Sequence, residues 1–160
     1  STIKCVIASG AATVNGAATS RGFVTQAQVL QALSQGLACA QGGEVLVLRP
    51  QVVRIAELAE AMRSLLSQGG APVGAVQVLD SAMYQGEKES ATLIMAEELG
   101  LARLFPADST GQVVMLDNLG RHAVAAPHPS LPGHGLALAD CPTLSGAALQ
   151  AFVQPLLATA

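Results

Sequence analysis

All three histidines of the chain fall in one short stretch, RHAVAAPHPSLPGHGLALADC, residues 121–141. His122, His128 and His134 are six residues apart, Asp140 comes six later and Cys141 follows it. Two chemistries suit these types. Three imidazoles with a thiolate or a water complete a tetrahedral zinc site, so His122, His128 and His134 are the candidate metal ligands. Alternatively, Cys141 is a nucleophile, with His134 as its base and Asp140 orienting the imidazole, because a thiol needs a base to attack as thiolate.

Both patterns have weaknesses. A six-residue step puts side chains on one face only along an unbroken strand. Pro127, Pro129 and Pro132 interrupt this one. Structural zinc sites use tighter ligand pairs than a six-residue spacing. No family signature surrounds Cys141, and Pro142 follows it. A small buried hydrophobe is the commoner state of such a cysteine. The histidine segment therefore reads as a connecting loop near a subunit contact, with no cofactor required and zinc as the one candidate.

A third candidate is an anion site. Gly-rich SGAATVNGAATSRG follows a strand-like IKCVIA, as phosphate loops do, but it lacks the Gly-Lys-Ser/Thr ending and the G-x-G-x-x-G spacing. Gly22 and Thr25, at the start of the next helix, are the residues that could hold an anion there. Asp80, Ser81, Tyr84 and Glu87 would border a pocket only by their place at a strand-to-helix loop.

The elements that must position these residues follow from periodicity. Asn15-Gly16 is a strong hairpin signal and predicts pairing of residues near 10–14 with residues near 17–21. A Gly/Ala/Thr arm over 8–24 has a weakly specified register and an open edge. Thr25 with Gln28 forms a capping-box pair and opens a helix through Ala40, with Val29, Leu30, Leu33 and Leu37 as its core stripe. EVLVL (44–48) is a strand. A helix follows Pro50, with Ile55, Leu58, Met62, Leu65 and Leu66 inward and Arg54, Glu57, Glu60 and Arg63 outward. VGAVQVLD (73–80) is a strand and 87–104 a helix, with Glu87 and Glu89 suiting its first turn. GQVVMLDNLGRHAVAA gives two strands about a turn at 117–120. GLALA (135–139) is a last strand and 144–157 a last helix. The expected fold is α/β: a single domain over 1–160, with a mixed sheet, a central βαβαβα run and antiparallel hairpins near both ends.

Composition bounds the function. A chain of 160 residues buries roughly 70% of its unfolded surface and needs no staple to fold. Three cysteines, and no apolar core behind basic residues in STIKCVIASG, predict a reduced, intracellular protein. Mean hydropathy is +0.46, yet no run of 18 uninterrupted apolar residues predicts a membrane span. With no tryptophan, one tyrosine, three phenylalanines and a net charge of −3, the chain lacks the cations and stacking rings of a nucleic-acid binder.

Charge placement is more informative. Only 12% of residues are charged, and residues 1–43 and 122–160 hold just Lys4, Arg21 and Asp140. Flanks so poor in ions resemble interface, where charge is depleted. The expected function is a non-enzymatic assembly subunit of capsid, tail, filament or scaffold type. It would associate with itself and with other assembly proteins, in the cytoplasm or in a particle assembled there. The competing expectation is a small α/β hydrolase using Cys141 or a histidine-bound metal.

Overall fold

The computed structural model describes residues 12–70, 73–79, 91–105, 112–122, 128–129 and 131–158. Cys5, Asp80, Ser81, Tyr84, Glu87 and Glu89 lie outside them, as does residue 8–11 of the expected arm. Strands are β1 (Ala12–Asn15), β2 (Ser20–Phe23), β3 (Glu44–Leu48), β4 (Gln51–Arg54), β5 (Val76–Leu79), β6 (Thr92–Met95), β7 (Ala102–Leu104), β8 (Val113–Asp117) and β9 (Gly135–Ala137). Helices are α1 (Gln26–Cys39), α2 (Ile55–Gln68) and α3 (Gly146–Ala158), with 3₁₀ turns at Ala96–Leu101 and Leu138–Asp140.

The chain mixes helices and strands, as expected. Its strands do not form the one mixed sheet expected from the βαβαβα pattern. They lie in small separate sheets: β1-β5, β2-β4, β3-β8-β7 and β6-β9. Two compact units result. One collects Ser1–Gly22, Val52–Ser90 and Thr143–Ala160, and the other Phe23–Gln51 and Ala91–Pro142.

In the first unit β1 runs parallel to β5, Val14 opposite Val78. Asn15-Gly16 does make a turn: Gly16 has φ +71° and its carbonyl accepts from the Thr19 N–H at 3.2 Å. That turn closes no hairpin, because β1 and β2 go to different sheets. Helix α2 starts later than its hydrophobic pattern suggests. Val52 and Val53 are β-branched and buried at 5% and 0% exposure, and they lie in β4. Beyond them α2 follows its expected pattern in part, with Ala59 and Ala61 buried and Ile55, Met62, Leu65 and Leu66 half-buried. Leu58 is buried, while Arg54–Glu57 (3.6 Å) and Arg63–Glu60 (2.8 Å) pair on the wet side. Leu149 and Val153 of α3 are also buried.

The second unit is built on β3-β8-β7, antiparallel throughout. Directly opposed residues share a face. Leu46 opposes Met115 and Leu48 opposes Val113. This face carries a core of Ala32, Phe105, Val113 and Met115, with Cys39, Leu46 and Leu48 against it. Residues 87–104 were expected to be one helix. In the described part the chain forms β6, a 3₁₀ turn and β7 instead. The reason is local: Thr92 and Ile94 are β-branched on alternate positions, and Ile94 is fully buried opposite Leu136. GLALA follows its expected strand only to Ala137 before it tightens into the 3₁₀ turn.

Candidate functional site

The residues singled out by type fall into separate local arrangements. Glu44 and Asp117 face each other at one end of the β3-β8 pair. Two carboxylates so placed repel unless donors surround them, and here donors do. The Glu44 oxygens accept from the N–H groups of Gln41 (2.7 Å) and Gly42 (2.8 Å), and Oε1 meets His122 Nε2 at 2.7 Å. Asp117 accepts from the N–H groups of Arg121 (3.0 Å) and His122 (2.8 Å). His122 thus bridges the two acids, by its backbone to one and its ring to the other. The side chains of His122 and Glu44 are 8% and 6% exposed.

Electrostatics follow that geometry. The Gln41 N–H, then His122, hold the Glu44 carboxyl down at about 2, against an ordinary 4.5. Burial pushes Asp117 up, but the His122 and Arg121 N–H groups and the Arg103 charge outweigh it, and the net shift is downward. Arg121 also donates to the Gln41 carbonyl, tying the β8 turn to the loop after α1. The arrangement is a lock between two turns.

His134 meets Asp140 instead, Nε2 to Oδ2 at 3.2 Å, on the surface. The Ala137 N–H, first, and His134 hold Asp140 below the ordinary carboxylate range. Cys141 is buried at 6% exposure, and its thiol donates to the Ala137 carbonyl at 3.6 Å, not to an imidazole. Burial pushes that thiol up, opposite to the shift an attacking cysteine needs. His128 is buried, with its N–H on the Ala102 carbonyl at 3.3 Å. Among the described residues no three His, Cys, Asp or Glu side chains are grouped to hold a metal ion. Sequence spacing brings His134 to Asp140 and brings neither His122 nor His128 to them in such a group.

At the expected anion position, Gly22 lies within β2 and Thr25 caps α1. The capping box is complete: the Gln28 N–H donates to Thr25 Oγ1 at 3.2 Å and the Thr25 N–H to Gln28 Oε1 at 2.8 Å. The helix start is thus served by its own side chains.

The feature that sequence reasoning inverted is α1 itself. Its leucines were expected inward. Ala32 is the buried residue, and Leu30, Leu33 and Leu37 are 58%, 56% and 83% exposed. At 3.6 residues per turn these three share a stripe turned well away from Ala32. Beneath the helix's second half lies a cavity of about 170 Å³, bordered by Leu33, Leu37, Cys39, Leu46, Phe105 and Met115. No Asp, Glu, Lys or Arg occurs anywhere in residues 22–43. The stripe was legible from its spacing, but its direction was not.

No helix among the described residues is long and apolar enough to cross a membrane. No family model and no curated protein matches the chain. Among solved structures it is similar in fold to the X-ray structure of Pen from Bacillus thuringiensis, with a TM-score of 0.74 and 18% identity. That likeness covers 98% of this chain and 45% of the other, so the chain spans less than half the length of the protein it resembles.

Proposed function

We propose that this chain is a non-enzymatic assembly subunit that associates with a second copy of itself across the outward stripe of α1. The observation that carries the proposal is the exposure of Leu30, Leu33 and Leu37 on one side of a helix without charge. A soluble monomer scatters its exposed leucines, whereas a contiguous row marks an interaction site.

A second copy is the occupant that suits this surface. Two-fold association sets a patch against itself, so any charge on it meets a like charge. Residues 22–43 carry none. The glutamines and serine flanking the leucines supply the polar rim of such a contact. In Pen the matched fold occurs beside more than its own length of further polypeptide. Further association through the ion-poor 122–160 flank, with this chain or with other assembly proteins, would extend the dimer into a larger particle in the cytoplasm.

The test is sedimentation equilibrium of the full chain, across roughly 1–100 µM, the range in which a micromolar contact titrates. The wild type is expected to shift to dimer or higher mass. Leu33→Glu with Leu37→Glu is expected to stay monomeric with unchanged far-ultraviolet circular dichroism. A wild type that remains monomeric throughout overturns the proposal.

A further inference from the structure

Gly36 lets α1 come close to β3: a Cβ there would stand 2.6 Å from Leu46 Cδ1. Beside that contact the helix and the strands leave the hollow of about 170 Å³, which lies wholly within the second unit. Phe105 and Met115, both buried, form its floor. Leu37 is 83% exposed and stands at its rim, so the hollow has a way in from solvent. Cys39, half-buried, packs against the same core cluster.

Well-packed interiors leave few voids larger than a water molecule. Water itself suits this one poorly, because a buried water needs roughly two to four polar partners. Among the described residues that line the hollow, Glu44 is the one carboxylate. Its oxygens already accept from the Gln41 and Gly42 N–H groups and meet the His122 ring. The other lining side chains end in hydrocarbon, a phenyl ring or sulfur. Sulfur makes favourable contacts with aromatic rings, and rings pack edge to face with one another. Met115 and Phe105 therefore favour an aromatic guest over an alkane of equal size. The ionised Glu44 beside them disfavours an anion.

We propose that this cavity binds a small neutral aromatic molecule of one ring, held between Phe105, Met115 and the inner side of α1. The size agrees: an apolar cavity of roughly 150 Å³, lined by leucine, isoleucine and phenylalanine in another protein, stays dry and takes up benzene. The site is separate from self-association, since every wall comes from one chain.

The probe is toluene, titrated into the full chain carrying ¹³C-methyl methionine. The Met115 methyl signal is expected to shift and to saturate by roughly millimolar toluene, moved by the ring current of the guest. Benzoate is expected to leave it unmoved, and cyclohexane to bind several-fold more weakly than toluene. Cys39→Leu, which fills the hollow from a half-buried position at the end of α1, is expected to weaken toluene binding by roughly tenfold or more. Gly36→Ala pushes the Leu46 methyl aside while raising helix propensity, and is expected to weaken it several-fold with the fold intact. A Met115 methyl that stays unmoved up to the solubility limit of toluene overturns the proposal. It is equally overturned if benzoate or cyclohexane binds as tightly as toluene, or if both variants bind toluene as the wild type does.

Discussion

Glu44 shows how far one side chain depends on where the chain folds back. Nothing in EVLVL marks its first residue as special, yet the register sets it opposite Asp117, and the loop after α1 supplies its donors. Its carboxyl is held near 2 in the folded chain and returns to about 4.5 on unfolding. A depressed folded value means that Glu44 adds stability in full above about pH 4.5. The contribution is lost as pH falls from there toward 2. Denaturant midpoints taken from pH 6 to pH 2 should therefore fall, and Glu44→Gln should flatten part of that fall. Cys141 gives a second test. Its raised, buried thiol should react with iodoacetamide far more slowly in the folded chain than in the unfolded one, while the half-buried Cys39 reacts sooner. Rapid alkylation of native Cys141 would revive the nucleophile. At Gly135, φ is +98° and a Cβ would press on the Ile94 carbonyl across the β6-β9 pair. Gly135→Ala should cost at least about 1–3 kcal/mol in urea denaturation.

At the scale of elements, sequence succeeded where the signal was local and failed where it was relational. Thr25 with Gln28 names the start of α1 because each side chain finds the other's backbone within one turn. EVLVL is a strand over its full length. Asn15-Gly16 names a turn but cannot name the strands' partners, which lie some 30 to 60 residues away in β4 and β5. Spacing found the leucine stripe of α1, yet a neutral helix with Gln28 and Gln35 on one side and leucines on the other does not state which side turns inward. Ala32, the smallest apolar residue available, decides it by fitting closely over Met115 and Val113. The histidine segment divides the same way: Asp140, six residues from His134, was legible as its partner, whereas Glu44, 78 residues from His122, was not. Two substitutions test these elements. Thr25→Ala should lower stability by about 1 kcal/mol through loss of the cap. Ile94→Ala, at a fully buried site, should lower it by about 2–5 kcal/mol.

For the whole molecule, the charge distribution and the α1 surface converge on one expectation from different directions. Uncharged flanks were visible in the sequence, and a row of exposed leucines within one of them was visible only in the fold. If the row is an interface, thermal stability of the wild type should rise with protein concentration, because a partner that binds only the folded chain stabilises it by mass action. The Leu33→Glu, Leu37→Glu double variant should lose that dependence.

The chain passes between its two compact units four times, since one is assembled from three stretches and the other from two. A ribosome therefore releases the second unit in finished form only after Pro142, and the first only after the stretch that follows it. Leu149 and Val153 lie in the stretch that completes the first unit, after the second has closed at Pro142. A nascent chain halted near residue 142 would hold one finished unit and one whose apolar surface still waits for its last helix. Such a halted chain is the species a chaperone would meet, and proteolysis of stalled chains should spare the 91–142 stretch first.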